Sequence, residues 1–299
     1  MKGSCGKAAS LVVDVGGTNT RLALAKDGIL PGSAQKFDNR DFSGLEAVIE
    51  VFLAGSGCLR PASTCIAVAG PVSNGRGRLT NLDWIIDAAS LKSILQDAEI
   101  VVTNDLLAVG QALHLLRPHE VRDMVTGGER HRSATRLVIN AGTGFNAAAV
   151  HMRAGRPFVT PSECGHAKLA PFIAECAFID SLRAQLDFVS IEDVLSGRGA
   201  RAAKEWFGDE APDSGYLRLM AETFGTVAGD LALIHLPFGG IYLTGGVARA
   251  LAPDLLAHGF YEAFTAKGRF SEFMRRFPIS LITEDLVALK GCAALIGEC

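Results

Sequence analysis

A carboxylate followed by two glycines stands near the start of the chain, in the segment Asp14-Val15-Gly16-Gly17-Thr18-Asn19. The apolar run from Ser10 to Val15 predicts a buried strand, and the apolar alternation that resumes at Arg21 predicts a second one. Adjacent glycines let the backbone turn tightly, and the exposed N–H groups of such a turn bind anions. An ordinary glycine hairpin is the alternative. Burying Asp14 requires a partner, and a metal ion carried in with a nucleotide would supply one.

A second glycine turn, Gly142-Thr143-Gly144, follows the apolar run Leu137 to Asn140. With Ala147 it fits the G-x-G-x-x-A fingerprint of dinucleotide-binding enzymes, and Glu163 lies about 20 residues further on. The fingerprint requires a helix here, however, and the turn-forming residues from Arg153 to Pro157 arrive too soon for a crossover helix. We therefore predict a hairpin, whose N–H groups can still face a phosphate.

A third pair, Gly245-Gly246, joins a predicted strand to a helix and leaves helix N-terminal N–H groups for a nucleotide. Asn104-Asp105 lies where another buried strand meets a helix, a position at which α/β sheets place ligand groups; Asp105 as a helix N-cap is the alternative. Glu163 and His166 share a loop, and Glu192 lies in the first turn of a predicted helix. No Walker loop and no protein-kinase HRD or DFG triplet occurs.

The elements that would position these residues alternate between strands and helices, which predicts an α/β fold. The first third is predicted as β-β-α-β-α-β-α, and the strand-glycine-strand pattern restarts at Leu137, which indicates two related halves. We place the domain boundary within the polar connection Pro118 to Arg136. The predicted domains are 1–117 and 118–285, with the C-terminal helix 286–299 packing back on the first.

Composition excludes several classes of function. The 299 residues are 48% hydrophobic and 20% charged, with a net charge of −3 and no long basic run, so we expect a globular protein without nucleic-acid partners. The start of the chain shows no export signal, which predicts a cytoplasmic protein. No apolar stretch predicts a membrane span. Seven scattered cysteines without a CxxC argue against a disulfide frame and a zinc site.

Taken in order and with their spacing, these motifs closely resemble bacterial ATP-dependent glucokinases, over nearly the whole chain. The resemblance implies the two-lobed actin-like ATPase (ribonuclease H-like) fold, with two related βββαβα halves and an interlobe cleft. It implies transfer of the γ-phosphate of ATP to the 6-hydroxyl of glucose, the first step of glycolysis, with Mg²⁺ and in a homodimer. The motifs that carry it are Asp14-Val-Gly-Gly-Thr-Asn-x-Arg21, Asn104-Asp105, Gly142-Thr-Gly144, Glu163-x-Gly-His166, Glu192-x-Val-Leu-Ser-Gly197 and Gly245-Gly-Val247.

The resemblance also assigns roles to residues. Asp105 looks like the catalytic base, and Asn104, Glu163, His166 and Glu192 look like partners of the sugar hydroxyls. The ATP phosphates would lie between the turns Gly16-Gly17-Thr18 and Gly142-Thr143-Gly144. Val15 and Asn19, which flank the first turn, would also bind ATP. Asp14 would hold magnesium, and Gly245-Gly246 would abut the adenosine.

Three residues depart from the family pattern, which usually has glycine where this chain has Asn146, Ser162 and Cys164. Side chains at the last two positions could reshape the sugar pocket, so a kinase for another hexose or an amino sugar is one alternative. A sugar-sensing binding protein with degenerate catalysis is another, disfavoured by Asp105 and by a strand that starts by Ser10, which leaves no N-terminal helix-turn-helix. An oxidoreductase is the third. The cysteine-rich zinc loop of the related repressor/kinase branch is absent, so we expect no structural zinc.

Overall fold

A computed structural model describes residues 9–57, 60–79, 82–96, 98–170, 177–208 and 215–297. These residues form two compact units. The first comprises the described residues of Met1–Leu116 and Glu284–Cys299, and the second those of Arg117–Thr283. No helix in these ranges is long and apolar enough to cross a membrane.

The first unit contains a five-stranded sheet and a separate three-stranded sheet. Numbered along the chain, its strands are β1 (Ser10–Val15), β2 (Asn19–Ala25), β3 (Gln35–Asp38), β4 (Ser63–Val68), β5 (Val72–Ser73), β6 (Arg76–Arg78), β7 (Ile85–Asp87) and β8 (Glu99–Asn104). Its helices are α1 (Leu45–Ser56), α2 (Ala88–Leu95), α3 (Asp105–Ala112) and α11 (Val287–Leu295). The five-stranded sheet has the order β3-β2-β1-β4-β8, and β5, β6 and β7 form the small sheet.

Both faces of the first sheet are covered, which explains why β1 is a continuous apolar run. Leu11 and Val13 contribute to an apolar cluster that also includes residues of α1 and α2. Val12, on the opposite face, belongs to a second cluster with Ala108 of α3 and Leu289 of α11. The first unit is therefore built from a sheet between two helical layers.

The second unit contains one six-stranded sheet. Its strands are β9 (Val121–Val125), β10 (Arg136–Ala141), β11 (Phe145–Arg153), β12 (Arg156–Pro161), β13 (Ile241–Thr244) and β14 (Ile279–Ile282). Its helices are α4 (Ala177–Gln185), α5 (Glu192–Leu195), α6 (Gly197–Phe207), α7 (Gly215–His235), α8 (Gly246–Leu251), α9 (Phe260–Thr265) and α10 (Ser271–Met274). The sheet order is β12-β11-β10-β13-β14-β9.

In each unit, three antiparallel strands are followed by two strands parallel to the first. The pairs β1–β4 and β4–β8 correspond to β10–β13 and β13–β14, all of them parallel. This confirms the predicted pair of related α/β halves.

The β-β-α-β-α-β-α pattern predicted for the first third is wrong because it lacks β3 and the small sheet, and the polar connection predicted before Arg136 is wrong because it contains β9. The βββαβα halves that the resemblance implies do include β3. β3 has no buried residue, and β9 lies at a sheet edge. Edge strands such as these are held by backbone pairing, so their sequences lack the apolar alternation that reveals a strand.

Candidate active site

The β1–β2 turn of the first unit, Gly16-Gly17-Thr18, is held from one side by Asn39. The Asn39 Nδ2 donates to the Gly16 carbonyl at 2.8 Å, and its backbone N–H donates to the Thr18 carbonyl at 3.0 Å. Among the described residues, the backbone N–H groups of Gly17 and Thr18 have no hydrogen-bond acceptor. The turn therefore has the carbonyls of Gly16 and Thr18 occupied and two N–H donors available for an anion.

Asp14 lies opposite Arg21 in the β1–β2 ladder, and the Arg21 Nη1 is 3.5 Å from the Asp14 Oδ2. Burial raises the pKa of the Asp14 carboxyl, and the charge and hydrogen bond of Arg21 offset this only in part. The ionised form is thus incompletely compensated, and a cation beside it would favour that form.

Asn104 and Asp105 have different structural roles at the start of α3. Asn104 is the N-cap, because its Oδ1 accepts from the N–H groups of Leu106 and Leu107 at 2.9 and 3.2 Å. The Asn104 Nδ2 donates to the Gly70 carbonyl at 3.2 Å. The alternative of Asp105 as N-cap is therefore wrong. Asp105 is the first helical residue, and its Oδ1 accepts from the Leu106 N–H at 2.8 Å.

The strand register places Asp105 and the glycine turn on one edge of the first sheet. Val15 pairs with Val68, and Val68 pairs with Asn104, so β1, β4 and β8 end at one level. Two strand spacings separate the ends of β1 and β8, which is roughly 10 Å. Gly70 follows β4 between them, and a Cβ there would lie 2.2 Å from the Arg78 carbonyl oxygen. This edge combines a turn that has two available N–H donors with a carboxylate.

In the second unit, Gly142-Thr143-Gly144 is the turn between the antiparallel strands β10 and β11. The predicted hairpin is confirmed, and a crossover helix after the turn is excluded. The Gly142 N–H donates to the Gly144 carbonyl at 2.8 Å, and the Gly142 carbonyl accepts from the Gly197 N–H at 2.7 Å. A Cβ on Gly144 would lie 2.8 Å from the Glu192 Oε2, so the turn and that carboxylate are in close contact.

The structure brings Glu163 and Glu192 to adjacent residues of β11. The Glu192 Oε2 accepts from the Phe145 N–H at 3.0 Å, and the Glu163 Oε2 accepts from the Asn146 Nδ2 at 2.9 Å. Glu163 is exposed and Glu192 is half-buried. The exposed His166 lies in the short 3₁₀ turn Cys164–His166, and its N–H donates to the Glu163 carbonyl at 3.1 Å.

Gly165 fixes how closely this loop approaches β11. A Cβ on Gly165 would lie 1.8 Å from the Phe145 carbonyl oxygen, a distance that no side chain tolerates. The loop that carries Glu163 and His166 is thereby packed directly against the strand that follows the glycine turn.

Gly245 and Gly246 join β13 to α8 at the same edge of this sheet, since Thr244 pairs with Asn140 of β10. Gly245 has a φ of 98°, and a Cβ there would lie 2.3 Å from the Ala141 carbonyl oxygen. Glycine is therefore required for both the backbone conformation and the close approach. The predicted nucleotide and sugar residues of this unit thus converge on the end of β10.

Sequence reasoning missed Asn39, whose contacts join it to a turn more than twenty residues earlier. Its side chain is buried, and its Oδ1 also accepts from the Thr20 Oγ1 at 2.8 Å. No local pattern signals such a contact. In the described ranges, no cluster of three or more His, Cys, Asp and Glu side chains could hold a metal ion.

A sequence model of the glucokinase family matches residues 11–212 and 208–298 of the chain. The chain belongs to the glucokinase family. The glucokinase of Salmonella typhi is 33% identical and aligns with 97% of this chain and 97% of its own length. The glucokinase of Mesorhizobium japonicum is 31% identical, over 95% of this chain and 90% of its own.

Solved glucokinase structures share the fold. The glucokinase of an Antarctic psychrotroph matches with a TM-score of 0.77 and 29% identity, over 98% of this chain and 99% of its own. The Balamuthia mandrillaris glucokinase, solved in complex with glucose, has a TM-score of 0.79 at 21% identity, over 99% of this chain and 95% of its own. The predicted actin-like ATPase fold is thus confirmed.

Proposed function

We propose that the chain is an ATP-dependent glucokinase, which transfers the γ-phosphoryl group of ATP to the 6-hydroxyl of D-glucose as the first step of glycolysis. Membership of the glucokinase family over nearly the whole chain supports this. The observation that carries the proposal is the shared edge of the first sheet, where the N–H donors of Gly17 and Thr18 lie two strands from Asp105.

The contacts described above and membership of the family support an assignment of the sugar and nucleotide residues. For the sugar we propose Asn104, Asp105, Glu163, His166 and Glu192. For ATP we propose Asp14, Val15, Gly16, Gly17, Thr18, Asn19, Gly142, Thr143, Gly144, Gly245 and Gly246. Several donors and acceptors converging on a polyol favour a sugar that offers the matching hydroxyls.

Asp14 is the residue that fits Mg²⁺. Magnesium is commonly bound by one or two carboxylates together with substrate phosphates and waters, so a single protein carboxylate suffices. The incomplete compensation of the half-buried Asp14 by Arg21 is what a nearby cation would relieve. Bound there, the metal would neutralise charge on the phosphates.

In the proposed reaction, Asp105 accepts the proton of the 6-hydroxyl as that oxygen bonds to the γ-phosphorus. The bond from the γ-phosphorus to the bridging oxygen breaks, and ADP leaves. The hydrogen bond from the Leu106 N–H to the Asp105 Oδ1 holds the carboxylate in place. Phosphoryl transfer depends mainly on positioning and charge, so orienting the sugar and excluding water supply most of the rate.

A coupled assay of ADP release tests the proposal. Purified protein with Mg-ATP is given glucose, mannose, fructose and glucosamine in turn, with a sugar-free reaction as the control. We expect the highest kcat/KM with glucose and little ADP without sugar. Absence of ADP release with every sugar would overturn the proposal.

We also propose a cytoplasmic homodimer, which rests on the family resemblance. Sedimentation equilibrium should give twice the 31.5 kDa chain mass. A single-chain mass over the working concentration range would contradict the dimer and leave the activity untouched.

A further inference from the structure

Asn146, at the start of β11, connects the strand to the loop that carries Glu163. Its Oδ1 accepts from the backbone N–H of Cys164 at 3.1 Å, and the Ser162 Oγ lies 3.3 Å from the same oxygen. The Asn146 Oδ1 also accepts from the Ala147 N–H at 2.9 Å. The Asn146 Nδ2 donates to the Glu163 Oε2 at 2.9 Å. One amide therefore contacts three consecutive residues of the loop.

Ser162 adds a second connection to the same strand. Its Oγ donates to the Ala147 carbonyl at 2.9 Å, and its backbone N–H donates to that carbonyl at 3.2 Å. The backbone on both sides of Glu163 is thus hydrogen-bonded to β11 or to its side chains. These bonds fix the backbone next to Glu163, whereas the position of its carboxylate depends on other contacts.

An exposed glutamate ordinarily loses rotamer freedom when it is held in one position, and this loss opposes binding. Glu163 is exposed, and its Oε2 accepts a hydrogen bond from the Asn146 Nδ2. A carboxylate that is already oriented binds a hydroxyl without that loss. Preorganisation of this kind therefore increases the affinity for the ligand.

We propose that Asn146 is a positioning residue for the sugar, which holds the Glu163 carboxylate so that it accepts a hydrogen bond from a hexose hydroxyl. This inference rests on the proposed function. Asn146 sets the affinity for the acceptor sugar and leaves the phosphoryl-transfer step and the affinity for ATP largely unchanged. A residue that served only to hold the loop would act through the Oδ1 acceptor alone.

The substitution Asn146→Asp separates these two roles. It is nearly isosteric and keeps an oxygen that accepts from the N–H groups of Cys164 and Ala147. It replaces the Nδ2 donor by an oxygen facing the Glu163 carboxylate, so the attraction becomes a repulsion. We expect the KM for glucose and the Kd from calorimetric titration to rise about tenfold, with kcat and the KM for ATP within about twofold of wild type.

Asn74→Asp is the matched control. Asn74 is an exposed turn residue between β5 and β6. Asn74→Asp therefore adds the same negative charge at a position distant in sequence from the loop that carries Glu163. Its KM for glucose should equal that of the wild type. A rise equal to that of Asn146→Asp would show an effect of net charge and overturn the positioning role.

A double-mutant cycle with Glu163→Gln completes the test. In that background the introduced carboxylate at position 146 faces an amide that can donate to it, so the hydrogen bond returns with reversed polarity. We expect Asn146→Asp to weaken glucose binding by less than twofold there. An equal loss in both backgrounds, or no loss in the single variant, would overturn the positioning role alone. Absence of glucose binding by the wild type would overturn the proposed function as well.

Discussion

The glycine turns at the ends of β1 and β10 occupy equivalent places in two related sheets, and they are held by opposite chemistry. At the first, the neutral side chain of Asn39 donates to the Gly16 carbonyl and the N–H groups of Gly17 and Thr18 stay available. At the second, the Glu192 carboxylate accepts from the backbone directly after Gly144. The same topology thus supports one turn suited to an anion and one turn coupled to acidic groups.

Because of this difference, we expect changes at the two edges to affect different kinetic parameters. The first combines N–H donors proposed for phosphate with Asp105, so changes there should alter turnover and the affinity for ATP. The second connects a glycine turn proposed for ATP to the glutamates proposed for the sugar, so changes there should also alter the affinity for glucose.

The largest expected effect comes from Asp105→Asn. We expect kcat to fall by about 10²–10⁴-fold because the proton acceptor is lost, while the glucose Kd stays within about threefold. The asparagine oxygen can still accept from the Leu106 N–H, so the melting temperature should equal that of the wild type. Asp87→Asn is the control, since Asp87 is the N-cap of α2 in the same unit. Unchanged kcat in Asp105→Asn would refute the assignment of the base.

Gly144→Ala should have the next largest effect. The added Cβ would lie 2.8 Å from the Glu192 Oε2 and displace that carboxylate, so kcat/KM for glucose should fall about 10- to 100-fold. Gly142→Ala meets ordinary contacts at 3.5 Å from Asn140 and should lose less. Equal losses in steady-state kinetics of the two variants would contradict the contact between the turn and Glu192.

Glu192→Gln keeps an oxygen for the Phe145 N–H and removes the charge. The KM for glucose should rise about tenfold, because a charged acceptor binds a hydroxyl more strongly than a neutral one does. Glu272→Gln, in an exposed ion pair with Arg275, is the control and should match wild type. An unchanged glucose KM would remove Glu192 from the sugar site.

Asn39→Ala tests the first turn. Losing the side-chain bonds to Gly16 and Thr20 should lower the free energy of unfolding by about 2 kcal/mol. The KM for ATP should rise severalfold while the glucose Kd stays unchanged. Urea denaturation and steady-state kinetics measure both, and a rise in the glucose Kd would erase the distinction between the turns.

The smallest expected effect is on the pH dependence of stability. Burial raises the pKa of Asp14 above its ordinary 3.8, so the folded state binds the proton more tightly than the unfolded chain does. Stability from this group is therefore present at low pH and is lost as pH rises through the folded-state pKa. Asp14→Asn should raise the free energy of unfolding at pH 7, and the gain should vanish at pH 3. A gain at pH 3 as large as that at pH 7 would contradict this origin.

The sequence was sufficient for features that depend on neighbouring residues. The hairpin at Gly142-Thr143-Gly144 followed from the early turn at Arg153 to Pro157. The two related halves followed from repeated strand-glycine-strand patterns. In each case the determining interactions lie within a few residues.

Features that depend on distant pairing could not be predicted. Asn39 and the bond from Asn146 to Glu163 join residues far apart in the chain, and β3 and β9 form through partners along a sheet edge. The same limit applies to Asp14, whose partner Arg21 is set by the strand register. The roles of the proposed site residues remain predictions.

The helix α11 has a consequence for synthesis of the protein. It follows the second unit in the chain, yet it packs against α3 so closely that a Cβ on Gly291 would lie 1.7 Å from the Ala108 carbonyl oxygen. During synthesis, the part of the first sheet that α11 covers therefore stays exposed until the second unit has been made. Nascent chains stalled before Val287 should be sensitive to proteases in their earliest-made part.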